Sequence, residues 1–124
     1  MGQRLRVVAR AAPRVSVLMP AYGQARFIPR AVASLLAQDV IDWELIVIDD
    51  GSPDDVETAL GAVARDARVR LRRRGGNDGL GAALNQALDA ARAPVIAYLP
   101  CDDVLLEGHL DGIAVGSECS FQHR

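Results

Sequence analysis

Ala97-Tyr98-Leu99-Pro100-Cys101-Asp102-Asp103 is an apolar run that breaks off in two adjacent carboxylates. With Val95 and Ile96 before it and no polar alternation inside it, the run predicts a strand over residues 95–99, covered on both faces of a parallel sheet. A second stretch has the same design, since Glu44-Leu45-Ile46-Val47-Ile48 runs into Asp49-Asp50-Gly51-Ser52. Two strands of one small chain therefore deliver acid pairs at their C-terminal ends, the edge of an open α/β sheet where ligands sit. Gathered there, the acids would repel one another at low local dielectric. A hard divalent cation, Mg²⁺ or Mn²⁺, would relieve the repulsion and share its remaining positions with phosphates and water. The plainer alternative makes each pair a helix cap or a solvated turn.

The rest of the chain supplies the elements such a sheet needs. Val15-Ser16-Val17-Leu18-Met19 reads as a first strand stopped by Pro20, with Ala21-Tyr22-Gly23-Gln24 as the loop beyond it. Ile28, Val32, Leu35 and Leu36 share one helical face within residues 26–38, and Pro29 fits its first turn. After the first acid pair, Ser52 reads as an N-cap and Pro53 as the first helical position, with Val56, Leu60, Val63 and Ala67 along the buried face. A strand at 69–73 follows, then the turn Gly75-Gly76-Asn77-Asp78-Gly79 and a helix with Leu80, Leu84, Ala87, Leu88 and Ala91 on its inner face. A last helix is expected over 105–115. Strands alternating with helices across short connections predict an α/β fold: a Rossmann-like open parallel sheet with helices on both faces.

Composition narrows the function classes. The chain has 124 residues, half of them hydrophobic, which suits one folded domain. Its net charge of −2 excludes a general nucleic-acid binder. Every basic residue is arginine. Arg68, Arg70, Arg72, Arg73 and Arg74 crowd the third strand, where they read as protection of a sheet edge rather than as a polyanion strip, because no aromatic residues interleave for stacking. No apolar run reaches the roughly 18 residues that cross a bilayer. Cys101 and Cys119 match neither a metal spacing nor a disulfide framework and are expected to be free thiols in a reducing cytoplasm.

Several familiar sites are excluded by spacing. The glycines at 75, 76, 79 and 81 do not form G-x-G-x-x-G and follow the third strand rather than the first. Without lysine there is neither a G-x-x-x-x-G-K-[ST] phosphate loop nor the lysine of a phosphate-accepting receiver domain. No serine stands in G-x-S-x-G, and His109 reads as a surface residue of the last helix.

Taken together, residues 15–22, Phe27 through Gln38, Trp43 through Ser52, Asn77-Asp78-Gly79-Leu80 with Asn85, and Ala97-Tyr98-Leu99 with Asp102-Asp103 resemble the nucleotide-binding half of a family 2 glycosyltransferase. That resemblance implies a GT-A fold over residues 14–115; residues 1–13, Arg-spotted and without the apolar core of a signal peptide, read as a short leader, and 116–124, without pattern, as an irregular tail. The resemblance also implies a nucleotide-diphosphate sugar donor and inverting transfer of the sugar to an acceptor hydroxyl. By position, Pro20, Ala21 and Tyr22 would pack on base and ribose, Asp50 with Asp49 would bond the base, Asp102 would sit near the ribose, and Asp103 would ligate Mn²⁺ or Mg²⁺ at the diphosphate.

Three substitutions depart from the family pattern. Pro100-Cys101-Asp102-Asp103 stands where D-x-D-D is common, Gly23 replaces a usual asparagine, and Leu84 replaces an arginine that often precedes Asn85. The acceptor site and general base of the family lie beyond the acid pair. Glu107, Asp111 and Glu118 are the only later acids and none has a matching context, so no catalytic residue is identified and the acceptor half is expected to be missing. The acceptor, whether glycan, lipid or protein, stays open. So does peripheral association with the inner face of a membrane. The competing expectation is a catalytically silent nucleotide-binding or interaction module, with a strand edge left open to self-association.

Overall fold

The computed structural model describes residues 12–115. The tail, Cys119 and Glu118 lie outside the described residues, as does all but the end of the leader. The strands β1 (Val15–Ala21), β2 (Trp43–Asp49), β3 (Val69–Arg73) and β4 (Val95–Tyr98) form one sheet in the order β3-β2-β1-β4 with every pairing parallel. The helices are α1 (Ile28–Leu36), α2 (Val56–Leu60), α3 (Leu80–Ala90) and α4 (His109–Val115).

Strand alternation sorts the core into two layers. Val15, Val17, Met19, Leu45 and Val47 meet Ile28, Val32 and Leu35 of α1 and Val56 and Leu60 of α2 on one face. Leu18, Ile46 and Ile48 meet Ala83 and Ala87 of α3 on the other. The expected helices on both faces are thus present. At roughly 1.5–3 kcal/mol per buried aliphatic side chain, these two layers are the main favourable term holding the sheet.

Local details differ from the sequence reading, each for a physical reason. β1 runs through Pro20 to Ala21 instead of stopping before it. Because the Leu99 amide bonds the Leu18 carbonyl, Pro20 faces the same β4 side, where that strand has already ended at Tyr98, and its missing N–H costs no ladder bond. Ser52 and Pro53 do not start α2. The Ser52 N–H donates to Asp49 Oδ1 and its hydroxyl accepts from the Gly23 amide, so it closes the β2 turn, and Asp55 caps the helix by accepting from the Thr58 N–H at 3.0 Å. Gly61, at φ 62°, breaks that helix after five residues, a 3₁₀ turn (Gly61–Arg65) follows, and Ala67 is exposed rather than buried.

α1 is shorter than expected and is entered through a 3₁₀ turn, Ala25–Phe27. The buried face of α3 is centred on Ala83 and Ala87, with Leu84 and Ala91 packed beside them as expected, since two alanines let the helix sit close on Leu18 and Ile46; Leu80 and Leu88 are half-exposed. β4 is fully covered on one face and only partly on the other, where Ile96 packs against the Leu18 and Ile46 layer. Tyr98 is 37% exposed and Ile96 is half-buried, because β4 is an edge of the sheet among the described residues. α4 begins at His109 rather than at 105, after an extended stretch. β3 is the opposite edge, as expected.

Candidate functional site

β1 and β2 end side by side, with Ala21 in register with Asp49 and the Asp50 N–H donating to the Ala21 carbonyl at 3.0 Å. The loops beyond these ends enclose a hollow of about 330 Å³ whose wall includes Pro20, Ala21, Tyr22, Asp50 and Asp102. Five of the seven residues singled out from sequence therefore share one cavity. Asp49 opens instead onto a neighbouring depression of about 380 Å³ with Ser52, Asp54 and Arg73. Asp103 stands one residue from the hollow, on the turn that carries Asp102.

The four acids do not converge as expected. Asp49 and Asp50 are buried and held by protein partners: Arg73 Nε lies 3.7 Å from Asp49 Oδ2, and Arg74 Nε lies 2.9 Å from Asp50 Oδ1. Asp50 also accepts from the Gly79 N–H at 3.1 Å and the Asp78 N–H at 3.3 Å, so it ties the start of α3 to the end of β2. A carboxylate has about four acceptor positions, which leaves capacity for one more donor. Asp102 and Asp103 are exposed.

Repulsion within the first acid pair is thus relieved by arginine. Among the described residues no group of three or more Asp, Glu, His or Cys side chains is placed to cage an ion. The donor set that remains, two adjacent carboxylates facing solvent, fits a Mg²⁺-like ion that takes one or two carboxylates and completes its shell with substrate phosphates and water.

The turn bearing Asp102 and Asp103 is pinned along its length. The Asp103 N–H donates to the Pro100 carbonyl at 3.1 Å, and the thiol of Cys101, fully buried, points its hydrogen at the Pro20 carbonyl 3.4 Å away. Burial first, then the charges of Asp102 and Asp54, push that thiol up to about 12, so it is inert. Cys101 therefore works as a small apolar wedge beneath the acid turn.

Three features of this sheet edge escaped the sequence reading. Leu80, read as a core residue, is 56% exposed and forms part of its wall, as does Tyr98. The Tyr98 hydroxyl is pushed up by burial and by Asp102. Arg74 was counted with an edge-protecting run, although it directly follows the strand in register with the first acid pair, a signal that topology would have made readable. Three of the other four arginines of that run are also engaged, Arg72 being exposed: Arg68 lies 3.8 Å over the Trp43 ring and bonds Asp66, Arg70 bonds Glu44, and Arg73 bonds Glu57. They offer no strip to a polyanion. No described helix is long and apolar enough to cross a membrane.

Comparison with known proteins agrees with this geometry. The family model described as Glycosyl transferase family 2 matches residues 16–114. The succinoglycan biosynthesis protein ExoO of Rhizobium meliloti is 42% identical over 93 residues, covering 75% of this chain and 26% of that protein. The crystal structure of S. aureus TarS in complex with UDP-GlcNAc superposes with a TM-score of 0.77 at 25% identity, over 85% of this chain and 31% of that one. The mannosyltransferase PcManGT from Pyrobaculum calidifontis, in complex with GDP-Man and Mn²⁺, superposes with a TM-score of 0.68 at 26% identity, over 77% and 29% of the two chains. The first curated relatives are far longer, the chain spanning 26% and 29% of two of them.

Proposed function

This chain belongs to glycosyl transferase family 2, and on that premise we propose that the hollow between Tyr22, Asp50 and Asp102 receives the nucleotide of a nucleotide-diphosphate sugar for inverting transfer to an acceptor hydroxyl. The observation that carries the proposal is the grouping itself. An aromatic ring, a buried carboxylate and an exposed acid from three separate strand ends, Tyr22, Asp50 and Asp102, meet around one cavity, with Asp103 the next residue along. The sugar-nucleotide complexes of two structural neighbours support the same ligand class.

Each residue has work suited to its chemistry. The Tyr22 ring, 47% exposed, stacks on the base. Asp50, held rigid by Arg74 and the Gly79 amide, accepts from a ring N–H of the base. Asp49, turned to the adjoining depression and engaged by Arg73, supports the β2 turn, so the carboxylate that bonds the base is Asp50 alone. Pro20 and Ala21 form the backbone shelf beneath ribose and base, and Asp102 accepts from the ribose hydroxyls. Asp103, with Asp102 beside it, would hold Mn²⁺ or Mg²⁺. That ion supplies charge neutralisation for the departing diphosphate.

Calorimetry of the chain with UDP-, GDP- and dTDP-sugars, with and without Mn²⁺, tests the proposal. One donor should bind more tightly with the ion, and Asp103→Ala should remove that gain while the fold persists. Binding that is identical in Asp103→Ala, or absent for every donor, overturns it.

A further inference from the structure

The stretch after the acid pair is held by two side chains of the α1 region that lie far from the hollow's lining. Gln38 is 5% exposed. Its Nε2 donates to the Leu106 carbonyl at 2.9 Å and to the Ser34 carbonyl at 3.3 Å, while its Oε1 accepts from the Leu110 N–H at 3.0 Å. Two carbonyls facing Nε2 and one N–H facing Oε1 fix the amide's orientation, since the flipped amide would set oxygen against oxygen. One turn earlier, the Ser34 hydroxyl accepts from the Leu105 N–H at 2.8 Å and donates to the Ala31 carbonyl. Leu110, fully buried, sits in the core below.

We infer that Gln38, seconded by Ser34, is a positioning residue for the turn that presents Asp102 and Asp103 to the diphosphate and its cation; the inference rests on the donor-binding reading above. Besides the bond within the turn itself, the chain between Leu99 and Leu110 is fastened to β1 at one end and to the α1 region at the other. Leu99 and Cys101 are attached to β1, and Leu105, Leu106 and Leu110 are attached to Ser34 and Gln38. Asp102 and Asp103, between the Cys101 and Leu105 anchors, are exposed. Releasing the downstream anchors leaves the turn joined to the sheet on one side, so the carboxylates sample positions that no longer meet the cation together. Base recognition, carried by Tyr22 and Asp50 on other strand ends, is untouched.

The full chain, its Gln38→Met variant and its Ser34→Ala variant are compared by calorimetry with UDP and GDP in Mn²⁺, and with uridine and guanosine without metal. Hydrogen exchange of the unliganded proteins is followed in parallel. The expected result is a loss of roughly tenfold in the Mn²⁺-dependent part of nucleoside diphosphate affinity, the scale set by removing a group that orients a metal ligand. Nucleoside affinity should stay unchanged, and exchange should accelerate only over residues 102–110. A core variant remote from the turn, Leu60→Ala, should lower stability without altering the Mn²⁺-dependent gain. Unchanged gain and exchange in both variants overturn the inference, as does an equal loss of nucleoside and nucleoside diphosphate binding. If Gln38→Met does not fold, Ser34→Ala alone carries the comparison. A wild-type chain that gains nothing from Mn²⁺ overturns the donor reading, and faster exchange confined to 102–110 in the variants would then still support the anchoring role of Gln38.

Discussion

Arg74 Nε lies 2.9 Å from Asp50 Oδ1, the two residues standing just past the ends of neighbouring parallel strands. The same guanidinium reaches Asp78 Oδ2 at 2.5 Å and Gln86 Oε1 at 2.7 Å, so one arginine joins the β2 end, the glycine turn and the middle of α3. Arg74→Ala should lower stability by leaving the Asp50 carboxylate, 3% exposed, without its cation. It should also loosen the wall that Asp50 and Asn77 give the hollow. Thermal unfolding checks the first effect and nucleoside titration the second.

Tyr22→Ala separates binding from folding. The ring is 47% exposed and contributes little to the core, so the melting temperature should move by no more than about 2 °C. Stacking on a base is worth about 1–3 kcal/mol, so nucleotide affinity should fall by roughly tenfold or more. Parallel melting and calorimetry decide it, and an unchanged affinity would place the base elsewhere.

Gly51 is required by its surroundings as well as by its backbone. It adopts φ +74°, and a Cβ there would lie 3.0 Å from the carbonyl carbon of Gly76 and 3.2 Å from the Asn77 nitrogen. Gly51→Ala must push the glycine turn away from β2. Strain of this kind costs about 1–3 kcal/mol. Denaturant unfolding should register that loss, and nucleotide affinity should fall with it because Asn77 lines the hollow.

At the opposite end of the sheet, Glu44, 1% exposed, accepts from the Ser16 hydroxyl at 2.5 Å, from the Arg92 N–H at 2.7 Å and from Arg70 at 2.8 Å. Burial alone would raise its carboxyl. The Ser16 hydroxyl, the Arg92 amide and guanidinium, and Arg70 outweigh burial and hold it below the usual glutamate range. Asp66, bonded to Arg68, is lowered likewise. A depressed carboxyl stabilises the fold above its unfolded pKa, and that contribution is lost as pH falls through the folded value. Stability should therefore be level from about pH 7 to 5 and decline below about pH 4.5. Glu44→Gln should cost about 1–3 kcal/mol at pH 7 and flatten the acid decline, which urea unfolding at several pH values would reveal.

The layers of this fold were readable because apolar period and strand ends are local properties. Residues 44–48 and 95–98 could be assigned without knowing their neighbours, and so could the shared edge to which Asp50 and Asp102 belong. What resisted reading depends on partners far along the chain. Whether Pro20 ends a strand turns on where β4 stops. Whether Ser52 caps a helix turns on the Gly23 amide 29 residues away. The expected meeting of four acids failed for the same reason, since Arg73 and Arg74 compensate the first pair. Gln38 looks like an ordinary helix-end amide until the chain returns 68 residues later to meet it.

The wedge beneath the acid turn also makes that turn self-reporting. With its sulfur sealed under Pro20 and its ionisation pushed up to about 12, Cys101 is closed to alkylating reagents while the turn is seated. In a Cys119→Ser background, its slow trapping by a small electrophile would count each excursion of the loop. A single native atom thereby serves as a clock for how often the acid pair lifts off its bed.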